Sequence, residues 1–584
     1  MPLSPPAQRS MPKPIDIQAV PIAHETYVLR SRTWSRLKFE IEYGLQRGTT
    51  ANSFLIQADQ IALLDPPGET FTKIYLDAVS QRLDWAKLNY VILGHINANR
   101  ATTLSAILAR APQLTVVCSN PAALSLGNLL PEADLNLHIV KGDDTLDLGQ
   151  SHHLHFRLTP TPRWPGGLCT YDPATQILFT DKFFGAHVCG DQVFDEGYVV
   201  YAEDRRYYFD CVMAPSARQV EAALEKIADL PAQFYAPGHG PLLRYGRQDV
   251  LQGYRDWSQT QKSQALSVAL FYASAYGNTA TLAQAIARGV TKAGVHVESV
   301  NCEVASPDEI STIVEKADGF IIGSPTLGGH APTQIQTALG MILSHASQVK
   351  LAGVFGSFGW SGEAIDLLES KLRDAGFQLG FETIRVKFKP TDITLKECEE
   401  AGTDFAQALR KAKKVRQSRQ SSTLESQTDR TAQAVGRLVG SLCVVTARQG
   451  EVASAMLASW VSQATFDPPG LTVAVAKDRA VESLLYRGEA FTLNILAEQN
   501  HLGLMKHFLK PFAPGEDRFA GVETEIGENG CPILKDGLAY LECRVDNRME
   551  CGDHWLIYGT VQYGTVLDAN GLTAVHHRKT GSHY

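Results

Sequence analysis

The sequence predicts a multidomain chain that combines α/β and α+β modules, on three observations. At 584 residues it is too long for one hydrophobic core, and a prior of about one domain per 150 residues gives three or four. The stretch Lys411 to Arg430 (KAKKVRQSRQSSTLESQTDR) has almost nothing apolar to bury and reads as a linker. The pattern changes across it, from strand, loop and helix units before to closely spaced strand-like runs after. A further boundary lies at the Gln-rich, charged segment Leu251 to Gln264, just before the apolar run Leu266 to Ala273, which reads as a buried strand. The modules are placed at 1–260, 265–410 and 431–584, with 411–430 as the linker, and no fixed-period repeat is present.

Composition excludes several classes. A hydrophobic content of 44% with 20% charged residues is ordinary for globular proteins, and no segment is long and apolar enough to span a bilayer. The start, MPLSPPAQRSMPKPIDIQAV, is proline-rich and lacks the apolar core of a secretory signal, so a cytoplasmic location is expected. Ten cysteines are scattered without a CxxC pair, which fits reduced thiols rather than a disulfide framework or zinc knuckle. A net charge of -8 without a basic stripe argues against nucleic acid as a partner.

In the middle module, LSVALFYASAYGNTATLAQAIARGVTKAG is an apolar strand, a loop of small and hydroxyl residues, then a helical pattern. The loop Ser274 to Thr279, with Tyr276, Gly277 and Asn278 between, points backbone N–H groups and two hydroxyls at the positive end of the next helix. That arrangement suits a phosphate, although an ordinary capped turn reads similarly. GFIIGSPTLGG and GVFGSFGWSGEA are each a buried strand opening into a Gly-rich loop, where open α/β sheets bind ligands. Trp360 stands at the lip of that crevice, able to stack on a planar ring. These loops resemble those of flavodoxin. The resemblance implies that SAYGNT holds the FMN phosphate, while Ser324, Pro325, Thr326, Leu327 and Gly328, with Gly356, Ser357, Phe358, Gly359 and Trp360, flank the isoalloxazine.

Residues 45 to 245 carry GTTANSFLI, LLDPPG, VILGHINANR, TPRWPGGLCTYD, ILFTDKFFGAH and APGHGPLLR. Together these resemble the metallo-β-lactamase-like domain of flavodiiron proteins, which implies a four-layer αβ/βα sandwich. In that family a His-x-Glu-x-Asp-His loop, a later His, a bridging Asp and a last His hold two irons, which need anionic and imidazole donors. Here Asn97, Asn99 and Arg100 stand in the loop, Arg163 precedes the Trp-Pro, and Lys182 takes the bridging position unless a one-residue shift brings in Asp181. Only His95 and His239 match. Amide and guanidinium replacements remove negative charge and add positive charge, so a diiron centre is not expected here, nor hydrolase chemistry that needs a metal-bound water. Arg100, Arg163 and Lys182 are expected to hold an inorganic anion or form salt bridges. The alternative is a metal site rebuilt from His152, His153, His155 or His187.

After the linker, the runs GSLCVVTA, GLTVAVA, AFTLNIL, AYLECRV and HWLIYGTVQYG predict a small β-barrel. ASAMLASWVSQATFDPP, AVAKDRAVESLL, CGDHWLIYG and AVHHRKTGSHY resemble the flavin reductase domain fused to flavodiiron proteins of cyanobacteria, a split β-barrel. Ser459 and Ser462 can offer hydroxyls to a flavin, FMN or FAD. The resemblance places Asp553 and His554 beside the flavin edge where the nicotinamide docks. His576 and His577, with Arg578 and Lys579, are cationic donors suited to phosphates.

The resemblance covers nearly the whole chain. It implies electron transfer from NADPH or NADH through flavins toward reduction of oxygen to water, in a photoprotective role. The chain would act as a subunit paired with a ligand-complete flavodiiron paralogue, or as a homodimer. A stand-alone NAD(P)H:flavin oxidoreductase making peroxide, and a regulatory pseudoenzyme subunit, are the competing readings.

Overall fold

A computed structural model describes residues 15–34, 47–418 and 432–578. The chain forms two compact units. One holds Met1–Gln264, Ala275–Ala280 and His296–Ile310; the other holds Ala265–Ser274, Thr281–Val295 and Ser311–Tyr584.

In the first unit, strands β1 (Asp16–Ala23), β2 (Thr26–Thr33), β3 (Thr49–Gln57), β4 (Ile61–Leu64), β5 (Leu88–Ile92), β6 (Thr115–Ser119) and β7 (Asn136–Val140) form one sheet in chain order. The sheet is antiparallel up to β4 and parallel from β4 to β7. The change follows from the connections: helices α1 (Thr72–Ser80), α2 (Ala98–Leu108) and α3 (Asn120–Leu129) supply the crossovers that parallel neighbours require. The second sheet runs β12-β11-β10-β9-β8, from β8 (Thr145–Asp147), β9 (His153–Leu158), β10 (Leu168–Asp172), β11 (Ile177–Asp181) and β12 (Phe234–Pro237). Helices α4 (Ala202–Tyr208), α5 (Ala217–Ile227) and α6 (Arg247–Lys262) complete this part.

Three cores give the four layers. Phe54, Leu64, Ile92, Phe156 and Phe179 fill the space between the sheets. Leu55, Val91, Tyr75 and Leu104 join the first sheet to α1–α3, and Leu178, Val220, Leu224 and Tyr254 join the second to α5 and α6. Adjacent residues of β3, Phe54 and Leu55, point into different cores, which is why this strand is apolar on both faces.

The chain continues through β13 (Ser267–Tyr272), α7 (Asn278–Lys292), β14 (His296–Asn301), α8 (Pro307–Lys316), β15 (Gly319–Pro325), α9 (Thr333–His345), β16 (Leu351–Phe358), α10 (Glu363–Asp374), β17 (Gln378–Leu379), β18 (Ile384–Lys387) and α11 (Asp392–Ser418). In the second unit β13, β15, β16 and β17 lie side by side in that order, with β18 also beside β16, and all are parallel. Helices α7 and α11 touch backbone to backbone. A Cβ on Gly289 would lie 1.9 Å from the Glu399 carbonyl oxygen, and one on Gly402 would lie 2.1 Å from that of Ile286.

Helix α11 corrects the linker boundary, because Lys411 to Ser418 continue it. Its buried face (Leu395, Cys398, Phe405, Leu409) starts a helix that the following Lys, Ala and Arg residues, all good helix formers, propagate. The rest of the 411–430 segment lies outside the described residues, as does Lys579.

The C-terminal part comprises β19 (Gly440–Ser441), β20 (Cys443–Gln449), β21 (Val452–Ala458), β22 (Val461–Phe466), β23 (Pro469–Ala476), β24 (Ala490–Ile495), α12 (His501–Leu509), β25 (Thr524–Ile526), β26 (Pro532–Leu534), β27 (Ala539–Cys551), β28 (His554–Val566) and β29 (Val575–His576). Seven strands form an antiparallel sheet, β21-β20-β24-β27-β28-β23-β22. Met456 from one edge and Val473 from near the other enter one core with Phe491, Val545 and Ile557, so the sheet curls around it. None of the ten cysteines forms a disulfide, and no described helix is long and apolar enough to cross a membrane.

Candidate functional site

One end of the first unit's sandwich gathers side chains from several strand ends. His95 follows β5, Asp65 follows β4, Asp181 closes β11, and His239 follows β12. All four are at most 4% exposed. Glycine makes this crowding possible, since a Cβ on Gly94 would lie 2.5 Å from that of Asp181. Arg100 ties the group together. Arg100 Nη1 donates to Asp65 Oδ1 (2.8 Å) and to the His95 carbonyl (3.1 Å), and its Nη2 donates to Asp181 Oδ1 (3.2 Å). Asp181 Oδ2 lies 2.6 Å from His95 Nδ1. Lys182 Nζ donates to His239 Nε2 (3.3 Å), while His239 Nδ1 donates to the Thr50 carbonyl (2.6 Å).

Arg100 occupies the first turn of α2, behind the N-cap Asn97, whose side chain accepts from the Arg100 N–H (2.9 Å). A cation at a helix N-terminus opposes the helix dipole, and two carboxylates offset it. Burial, with the charge of Asp181, pushes Asp65 up to about 7. Burial also opposes ionisation of Asp181, but His95 and Arg100 hold it down to about 2. Burial and then Arg100 lower His95 to about 4, and burial lowers Lys182 well below its ordinary value.

The remaining predicted residues separate. Asn99 turns away and accepts from the Glu69 N–H (3.0 Å). Arg163 and Lys182 both lie over the Trp164 ring, at 5.3 and 5.5 Å. Of the two expectations for the cations, Arg100 forms salt bridges. His187 borders the pocket, its ring 4.9 Å from that of His239, and bonds Thr49 Oγ1 through Nδ1 (2.7 Å). His152 is paired with Asp172, His153 with Asp147, and the His155 ring meets that of Tyr171 edge-on, so these three do not join His95. Asp65 was read only as part of LLDPPG; an acid between an apolar run and a Pro-Pro-Gly turn was its one local signal.

The loop after β13 turns at Gly277, whose φ of 82° suits glycine, exposes Tyr276 and leads into α7, whose first turn buries Thr279. In the second unit, the Thr326 N–H donates to the Ser357 carbonyl (2.9 Å), joining the loops after β15 and β16. Ser324 is fully buried beneath them. Gly356 is required there, because a Cβ would lie 2.3 Å from the Ser324 carbonyl oxygen. The buried Thr326 hydroxyl makes no hydrogen bond within the protein. Pro325 and Phe358 close their strands, Gly328 is left-handed at 57°, and a Cβ on Gly359 would lie 3.7 Å from the Phe388 ring. Around them Leu327, Trp360 and Phe388 are exposed, Trp360 by 91%, with Phe388 edge-on to Trp360 at 6.4 Å. Phe388 carries no sequence signal that places it there.

In the C-terminal sheet, Ser459 and Trp460 follow β21, and His554 opens β28. The rings of Trp460 and His554 lie 4.9 Å apart, and the Arg578 guanidinium lies 4.9 Å from the Trp460 ring. His554 Nδ1 bonds Asp553 Oδ1 (2.8 Å), and this bond holds the Asp553 carboxyl below its usual range. The buried Ser459 Oγ and His554 Nε2 have no hydrogen-bond partner within the protein. Ser462 is exposed and donates to the Gln463 carbonyl (3.2 Å), His576 pairs with Gly440, and His577 is exposed. Trp460, central here, was not singled out from the sequence.

Comparison with known proteins matches three family models in chain order: ODP family beta lactamase over residues 49–240, flavodoxin over 270–402, and flavin reductase like domain over 435–581. Diflavin flavoprotein A 6 of Nostoc sp. (strain PCC 7120) is 66% identical over 575 residues, covering 98% of this chain and all of that protein. Diflavin flavoprotein A 3 of Synechocystis sp. (strain PCC 6803) is 67% identical over 571 residues, 97% of this chain and 95% of its own. A solved structure, the metal-soaked Flv1 flavodiiron core from Synechocystis sp. PCC6803, is 66% identical and covers 68% of this chain and all of its own, with a TM-score of 0.67. Identity of this depth, carried through all three modules, settles the family: the chain is a diflavin flavoprotein A of the cyanobacterial type, a member of the flavodiiron proteins.

Proposed function

We propose that this chain is an electron-transfer subunit of an oxygen-reducing flavodiiron assembly, passing electrons from NADPH or NADH through two flavins to a second chain that keeps its iron ligands. The observation that carries this reading is the Arg100 cluster. Of the donors that could serve iron, His95 and Asp181 are bonded to each other, Asp181 also to Arg100, and His239 to Lys182. Two divalent cations do not fit where a buried guanidinium already pairs with both carboxylates and the Lys182 amine occupies His239.

The other two modules fit flavins. The Thr326 hydroxyl and the Gly356 approach suit an FMN ring edge, and Trp360 offers a face for stacking. The Ser274 to Thr279 loop at the start of α7 suits the phosphate. In the reductase module Ser459 and His554 hold polar atoms ready for a flavin, and Arg578 supplies a cation for a phosphate. A bound flavin accepts a hydride and releases electrons singly. Photoprotection follows from drawing surplus electrons to oxygen in a phototroph.

Mixing the flavin-loaded chain with a ligand-complete flavodiiron chain is expected to raise NAD(P)H-driven oxygen uptake above the sum of the separate rates, without peroxide. Uptake equal to that sum would sink the proposal. Separately, Trp360→Ala is expected to weaken FMN binding by about 0.5–1.5 kcal/mol, roughly two- to tenfold in Kd, as read by quenching of FMN fluorescence during titration.

A further inference from the structure

At the end of the first unit's sandwich opposite Arg100, the β1–β2 and β8–β9 turns bring together His24, Glu25 and His152. One potential ligand atom from each lies within 4.8 Å of the other two. The direction is fixed by β3, which starts at the Arg100 pocket with Thr49 and Thr50 and ends at Gln57, whose N–H donates to the Glu25 carbonyl (2.9 Å).

The histidine is prepared as a ligand. Buried His152 bonds Asp172 Oδ2 through Nδ1 (2.9 Å), and Asp172 is itself held by the Thr175 hydroxyl (2.6 Å) and the Ala174 N–H (3.2 Å). With the proton on Nδ1 directed to the carboxylate, Nε2 presents its lone pair, the arrangement in which a carboxylate orients a metal-binding imidazole. Glu25 Oε2 is buried without a hydrogen-bond partner, an expensive state for a carboxylate oxygen unless a cation meets it. The backbone is constrained on both sides. Glu25 has a φ of 50°, and Gly149, Gln150 and Ser151, which lead into His152, are left-handed in succession at 82°, 49° and 71°. The Arg100 pocket sets its two carboxylates against Arg100 and Lys182, whereas this group of two carboxylates and two imidazoles contains neither arginine nor lysine.

We infer that His24, Glu25 and His152 form a binding site for a divalent transition metal of the zinc class, with Asp172 as the residue that orients His152. Two imidazoles and one carboxylate are a known three-ligand set for zinc, and it leaves a fourth position open. Exposed His24 places that opening toward solvent. The ion ties the first hairpin of one sheet to a turn of the other.

The test uses the untagged full-length chain, stripped with a chelator and equilibrated with Co(II) and, separately, Zn(II). The wild type is expected to take up about one ion per chain, to show Co(II) ligand-field absorption of a nitrogen and oxygen site, and to melt at higher temperature with Zn(II). His24→Ala, at an exposed position that leaves the fold intact, and Glu25→Gln are each expected to lose the uptake. Asp172→Asn is expected to weaken it by roughly 10–100-fold. No uptake by the wild type, or uptake that survives in both His24→Ala and Glu25→Gln, overturns the assignment.

Discussion

Replacing Arg100 with Ala lowers folding stability by about 3–5 kcal/mol, the size expected when one partner of a buried ion pair is removed. Asp65 and Asp181, both at most 4% exposed, lose the guanidinium that donates to each of them. Two buried carboxylates then face each other, and Asp65 is already raised to about 7 with the guanidinium present. The readout is the urea midpoint of the first unit's unfolding, at unchanged denaturant slope. A loss under about 1 kcal/mol, the size of an exposed pair, would show that Arg100 does not hold the pocket together.

Glu399→Gln has a comparable expected cost, about 3–5 kcal/mol, in the second unit. Glu399 on α11 is fully buried, accepts from Lys292 of α7, and lies 3.4 Å from Lys396. Glu482, also buried, lies 3.9 Å from Lys292 and accepts from Arg548 (3.3 Å). Removing the Glu399 charge leaves Lys292 with the Arg479 carbonyl (3.4 Å) and, as its carboxylate, the more distant Glu482. The pH dependence has a definite sign. Burial would raise the Glu399 carboxyl, but Lys292 and Lys396 outweigh it and hold it far below its ordinary value of 4.5. The folded value is thus below the unfolded one, so this contribution is complete above the unfolded value and is lost as pH falls through the folded one. The stability gap between wild type and Glu399→Gln should therefore be constant near neutrality and narrow on strong acidification. A gap that widened in acid would contradict the assignment.

What the sequence disclosed was what lies close together in the chain. The strand at Ser267–Tyr272, the helix from Asn278 and the Gly-rich loops are local patterns, so periodicity and turn chemistry found them. The departures at Asn97, Asn99, Arg100 and Lys182 were visible because family resemblance supplied the register. Placing Asp181 was beyond it, since a one-residue shift changes which side chain enters the pocket; in the structure Asp181 reaches His95 and Lys182 reaches His239. Partnerships across long separations left no trace. Asp65 meets Arg100 from 35 residues away and Lys292 meets Glu399 from 107, and each alone reads as a surface charge. Lys411 to Ser418 were read as linker for a related reason: polarity marks a linker and a solvated helix alike.

The proposed role is delivery of electrons by a chain that does not itself complete oxygen reduction. It is tested most directly by oxygen uptake of the purified, flavin-loaded chain alone, with NADPH and with NADH, scoring peroxide alongside. Little uptake, or slow uptake that yields peroxide, is the predicted result, with the flavins competent and the Arg100 pocket inert. Rapid uptake without peroxide would contradict the account, because it would require a working metal centre within this chain.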